Sequence, residues 1–214
     1  MKTRSKALLL TLCAVLLVTA SVLGTMAYLT SQDTVTNTFS VGSVAIKLDE
    51  AKANPNGSLV KGAERVKANS YKLLPGHTYN KDPMVTVLKG SEDSYIKMTV
   101  TFSNASALDA IFAPDGANLT TIFNGYDSSN WTYKGNTKNA ADNTRTYEFW
   151  YKEAVAAPDG NVALDALFDS ITVPGSITNE QLKTIEGMTI TVNAYAIQAD
   201  GFANAEAAWV AYTG

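Results

Sequence analysis

Cysteine and histidine are nearly missing from the 214 residues: the chain has one of each, Cys13 and His77. A single cysteine closes no internal disulfide, and a single histidine builds no multi-histidine metal site. Charge is sparse as well. Asp, Glu, Lys and Arg make up 17% of the chain, against roughly 25% in ordinary soluble proteins. The 17 basic residues are outnumbered by 20 acidic ones and form no basic patch, so no nucleic-acid partner is expected. What is plentiful is apolar: 46% of the residues. That suffices for a core and excludes wholesale disorder. The length suits one domain.

Lys2, Arg4 and Lys6 open the chain, followed by an apolar run over 7–23 broken only by Thr11, Thr19 and Ser21. Gly24, Thr25, Met26 and Ala27 then place small residues at 25 and 27. This is the basic, apolar and small-residue order of a secretory signal, with cleavage expected between Ala27 and Tyr28. The rival is an uncleaved anchor, but the run is short of the roughly 20 apolar residues a span needs and no basic cluster follows it. Cys13 lies inside the apolar run and reads as a small apolar residue of the signal. Removing 1–27 takes all three of those basic residues and leaves 14 basic against 20 acidic, a net charge of −6 on 187 residues without cysteine. An exported chain lacking disulfides is held by its core or by partners.

Beyond residue 28 the dominant period is two. Ile96, Met98, Val100 and Phe102 alternate with polar residues, as do Met188, Ile190, Val192, Ala194 and Ala196. Tyr147, Phe149 and Tyr151 alternate with Thr146, Glu148 and Trp150, so that strand is expected to be covered on both faces. Residues 84–88 form a short apolar run. Val35, Phe39 and Val41 share one parity while Val44, Ile46 and Leu48 share the other, and the phase changes at Gly42-Ser43, a signature of a bulge or bend. Turn pairs such as Pro75-Gly76, Pro158-Asp159-Gly160 and Pro174-Gly175 punctuate the strands. An all-β antiparallel sandwich follows. Helices are expected to be minor: 105–112, a capping box from Thr178 to Gln181, and a C-terminal face formed by Phe202, Ala205 and Trp209. Residues 124–143, rich in Asn, Gly, Ser and Thr, read as a long exposed loop or loose hairpin with Trp131 exposed. The domain reading is a signal peptide over 1–27, an N-terminal strand segment over 28–41 and a sandwich over 42–214.

Three segments carry a family resemblance. The first is Gly24-Thr25-Met26-Ala27-Tyr28-Leu29-Thr30 followed by Asn37-Thr38-Phe39-Ser40-Val41-Gly42. The second is Leu74-Pro75-Gly76 with Lys81 and Ser94-Tyr95-Ile96-Lys97. The third runs from Ala194 through Phe202 to Ala207-Ala208-Trp209. In this order they resemble TasA/camelysin-type secreted biofilm matrix proteins, which carry a SipW-dependent-type signal peptide; residues of about 105–160 carry no matching motif. The resemblance implies a jelly-roll fold, export to the surface or extracellular matrix of a Gram-positive bacterium, and fibres built by strand exchange between copies. Its partners would be the chain itself, a signal peptidase during export and other matrix proteins, with membrane contact only through the uncleaved signal. In that arrangement 28–41 is the exchanged segment, with Leu29, Val35, Phe39 and Val41 as anchors and Gly42 as the bend releasing it. Burying four such side chains contributes roughly 1.5–3 kcal/mol each before ordering costs, on the order of 5–10 kcal/mol in all. The residues by themselves fit equally the first strand of the chain's own sandwich; the resemblance favours exchange.

No enzyme is read from the sequence. Some members of the resembled family were described as metallopeptidases, yet there is no His-Glu-x-x-His and only His77 to serve any zinc site or triad. No Gly-x-Ser-x-Gly occurs. The paired acids Asp49/Glu50, Glu92/Asp93 and Asp165/Asp169 read as solvated or loop charges, not converging catalytic carboxylates. No catalytic residue, metal or cofactor is therefore assigned. Asp-Gly turns at Asp115, Asp159 and Asp200 are explained by turn chemistry without calcium. No Leu-Pro-x-Thr-Gly motif ends the chain, so sortase attachment is not expected. The alternatives are a monomeric surface module recognising glycan or protein through 124–143 and, less favoured, a secreted metallopeptidase.

Overall fold

Alternating apolar residues generate the central strand of the protein, as seen in a computed structural model that describes residues 6, 8, 10–17, 42–112, 119 and 122–212. Residues 10–17 are helical, and no helix among the described residues is long and apolar enough to cross a membrane. Ala27, Tyr28, Leu29, Val35, Phe39 and Val41 lie outside the described residues, as does the turn at Asp115; Gly42 lies inside them. Residues Gly42–Gly214 form one compact unit.

That unit begins with β1 (Ile46–Asp49), β2 (Thr78–Asn80), β3 (Met84–Val87) and β4 (Ser91–Phe102), followed by the short helix α1 (Ala105–Ile111). Next come β5 (Trp131–Asn139), β6 (Thr144–Tyr151), β7 (Val155–Ala157), β8 (Val162–Ala163) and β9 (Ser170–Thr172). The chain closes with α2 (Asn179–Thr184), β10 (Ile190–Gln198) and α3 (Ala205–Ala211). The protein is mostly β, with antiparallel sheets and short helices. The larger sheet runs β10-β4-β6-β5, with β7 also paired to β4. A three-stranded sheet runs β1-β3-β8, and β2 pairs with β9.

The alternation predicted for β4 is what builds the core. Ile96, Met98, Val100 and Phe102 are fully buried, and they join Tyr147 and Phe149 of β6 and Val85 and Val87 of β3 in one cluster. The two sheets thus share a core. Phe123 lies at its centre, with ring centroids 4.7 Å from Phe168, 5.3 Å from Tyr147 and 5.8 Å from Phe149. The turn at 54–57, which packs against β2, needs its glycine: at Gly57 φ is +89°, and a Cβ there would lie 2.5 Å from the Thr78 carbonyl.

The outer face of β6 is covered too. Trp150 faces Trp209 of α3 at 6.3 Å, and Lys134 Nζ lies 4.0 Å above the Trp150 ring while pairing with Glu206 at 2.9 Å. Lys97 Nζ sits over Tyr195, Trp209 and Tyr212, 4.5 Å from the Trp209 ring. Helix α3 is thereby fixed by cation–π contacts and aromatic packing. At α2 the capping box is present: Thr178 Oγ1 accepts from Gln181 N at 3.2 Å, and Gln181 Oε1 accepts from Thr178 N at 3.0 Å.

Two expectations are corrected. Residues 131–139 form strand β5, the first arm of a hairpin with β6, and not a long exposed loop, because pairing with β6 satisfies their backbone irrespective of polar composition. Trp131 is buried at 1% exposure, packed on the Tyr151 ring at 5.0 Å with its Nε1 donating to the Asp165 carbonyl at 3.1 Å. Asp49 and Glu50 are likewise not solvated: each is 5% exposed.

Candidate functional site: a groove beside a free strand edge

Strand β10 reads Ile-Thr-Val-Asn-Ala-Tyr-Ala-Ile-Gln, nine residues without a charge, a proline or a glycine. One of its edges pairs with β4 without a break from Ile190/Phe102 to Gln198/Ser94. Among the described residues, no backbone group meets the other edge. The inward row, Ile190, Val192, Ala194 and Ala196, packs on the core cluster yet is only partly buried. Its counterpart across the sheet, β5, is protected by a different composition. It carries Lys134 and Lys138 and a register shift between Tyr133 and Gly135, devices that discourage further strand pairing.

Beside the start of β10, at Ile190, Thr191 and Val192, lies a groove. Its larger part, about 810 Å³, runs past Tyr71, Leu73, Phe102, Val173, Ile185 and Met188 and is predominantly apolar. A smaller part of about 440 Å³ continues between the end of β1 and the start of β10, lined by Leu48, Lys67 and Val192. Ala68, Asn69, Lys81 and Ile190 line both parts, so the two are continuous.

The polar wall of the smaller part is assembled by β1 and the chain after it. Glu50 exchanges backbone hydrogen bonds with Val66, at 2.9 and 2.7 Å. This brings the segment that follows beneath the acids of β1. Glu50 Oε2 accepts from Lys81 Nζ at 2.5 Å and Glu50 Oε1 accepts from Asn69 Nδ2 at 3.0 Å. Arg65 bridges Asp49 at 2.5 Å and Asp82 at 2.8 Å, while Lys47 also pairs with Asp49 at 2.7 Å. Burial drives the Asp49 carboxyl upward, but the hydrogen bonds from Lys47 and Arg65 outweigh it and hold Asp49 below the usual carboxylate range. Apart from Lys47–Asp49, these ion pairs join residues 16 to 31 positions apart. The acidic pair was visible in the sequence; its distant partners were not.

Other sequence candidates are not brought together. His77 is exposed in the turn after Gly76, with its backbone N–H bonded to the Leu74 carbonyl. Glu92 and Asp93 are exposed at the start of β4, and Asp165 and Asp169 are exposed between β8 and β9. Among the described residues no three His, Cys, Asp or Glu side chains converge as a metal site would require. Gly42 is exposed, and a Cβ there would meet the Glu92 side chain at 2.9 Å. The groove itself carried no sequence motif. Its only signal was the alternation of β10, which marked a buried face but not a missing neighbour. Comparison with family models, curated proteins and solved structures finds no match for the chain.

Proposed function

We propose that the protein is a secreted, non-catalytic structural subunit that forms extracellular matrix or cell-surface fibres by strand exchange, on a sandwich of jelly-roll type. The observation that carries this reading is the uncharged edge of β10, unpaired among the described residues, with a half-covered apolar row whose start lines a groove. An added strand would satisfy the open backbone groups of β10 and complete the burial of Ile190 and Val192. The occupant is the segment 28–41 of a second copy. At about 3.3 Å per residue it reaches roughly 46 Å, longer than the roughly 30 Å of β10. Export follows from the signal-like 1–27, with cleavage between Ala27 and Tyr28 and assembly outside the cell. The self-assembled fibre is the principal partner, joined by other matrix proteins.

Recognition of a glycan by an exposed Trp131 draws no support from a ring that is 1% exposed. A zinc peptidase draws none from a lone, exposed His77. The deciding comparison is between chains covering 28–214 and 42–214, read by sedimentation and circular dichroism. The longer chain is expected to assemble and the shorter to stay soluble, with the same β-sheet spectrum. Loss of that spectrum on truncation would make 28–41 an ordinary strand of its own sandwich and overturn the exchange.

A further inference from the structure

Two cations at the groove have bonding capacity to spare. Lys81 is 8% exposed and lines both parts of the groove. Its ammonium can donate three hydrogen bonds, and among the described residues its one side-chain partner is Glu50. Lys67 lines the smaller part, donates to the Leu48 carbonyl at 2.5 Å, and has no carboxylate partner among the described residues. The surrounding network holds Lys47, Arg65, Lys67 and Lys81 against Asp49, Glu50 and Asp82. One positive charge is in excess. A buried ammonium with unfilled donors makes this end of the groove selective for an occupant carrying an anion.

The segment 28–41 contains a single side chain that is charged at neutral pH, Asp33. In an extended conformation, residues of one parity share a face. Asp33 then falls on the same face as Leu29, Val35, Phe39 and Val41, together with the uncharged polar Ser31 and Asn37, while Tyr28, Thr30, Gln32, Thr34, Thr36, Thr38 and Ser40 fall on the other. A purely apolar inward face would fit the larger part of the groove alone. An inward face with one carboxylate fits a groove that passes from an apolar part to one walled by Lys67 and Lys81.

Resting on the strand-exchange reading, we propose that Lys67 and Lys81 form a carboxylate seat that receives Asp33 of the next copy. The seat sets the register of the exchanged strand. A slip by one residue would turn Asp33 outward and expose the apolar row; a slip by two would leave the carboxylate against apolar side chains. The seat thus selects this chain's own segment over an apolar strand of similar length.

The test is the critical concentration for assembly of the 28–214 chain, measured by sedimentation. Asp33→Asn is expected to raise it about tenfold, the scale of losing a hydrogen bond to a charged group. Adding Thr34→Asp to Asp33→Asn restores the net charge on the opposite face and is expected not to rescue. Asp33→Lys should block assembly, and combining it with Lys67→Glu should recover most of it. Lys67 is exposed, so its replacement does not touch the buried core. An Asp33→Asn chain that assembles like the unaltered one, or full rescue by Thr34→Asp, would overturn the seat while leaving strand exchange standing. If the unaltered chain does not assemble, both fail.

Discussion

Arg145 is a charged residue at 7% exposure. It survives there because every arm of its guanidinium has a partner. Nε and Nη2 reach the two oxygens of Asp109 at 2.9 and 2.6 Å, and Nη1 reaches Asn136 Oδ1 at 2.5 Å. Asp109, in α1, is buried enough to be driven upward, but Arg145 and then Lys138 hold its carboxyl below the ordinary range. Arg145→Met leaves that carboxylate half-paired and is expected to destabilise by about 3 kcal/mol. In a chain of this size that lowers Tm by roughly 6–12 °C. Calorimetry resolves it, and a loss under about 1 kcal/mol would contradict the pairing. Arg145→Lys should recover only part, since the two-pronged geometry is lost.

The ionisable residues also set two pH limits. Asp49 and Asp109 are lowered in the fold, so the stability they supply is present above the ordinary carboxylate pKa of about 4 and is lost as pH falls below it. Burial pushes the Tyr147 hydroxyl up to about 12, and among the described residues that hydroxyl has no hydrogen-bond partner. The unfolded chain ionises near 10 while the fold resists, so stability falls between about pH 10 and 12. Tyr147→Phe is expected to keep or raise stability at pH 7 and to reduce this alkaline loss, as thermal melts across pH would record. A loss of more than about 1 kcal/mol at pH 7 would mean the hydroxyl is satisfied after all.

At the scale of elements, the two edges of the larger sheet behave oppositely. β5 carries lysines and a register shift; β10 has neither. Placing an inward-pointing charge on the open edge with Val192→Lys is expected to stop assembly, while Thr137→Lys on β5 leaves it unchanged. Sedimentation reads both, and equal effects would contradict the assignment of β10 as the acceptor. The same elements explain what the sequence disclosed. β4 and β6 each bury one face fully and the other only in part, so Ile96 to Phe102 and Tyr147 to Phe149 announced themselves by period two. Thr178 and Gln181 announced α2, since a capping box is local chemistry. β5 did not, because Lys134, Asn136 and Lys138 become strand residues only through pairing with β6. The turn between β5 and β6 ends at Asn143, whose φ of 51° asparagine tolerates.

For the whole molecule, the informative feature is a core whose covering, among the described residues, stops at the seam beside the start of β10. A sequence reports which residues seek burial, and Ile190, Val192 and Ala194 did so clearly. It does not report whether the chain itself supplies the cover. Nor did it disclose the ion pairs at the seam, because Glu50 and Lys81 meet only after the chain has folded back through 31 residues. Under the proposed export, a chain without disulfides makes an intermolecular cover coherent, since each added strand would stabilise the subunit that receives it. The most direct measurement is electron microscopy of the purified 28–214 chain at increasing concentration. Regular, unbranched filaments that dissolve on removal of 28–41 are the predicted result; a monomer at every concentration, with the same melting temperature whether or not 28–41 is present, would contradict it.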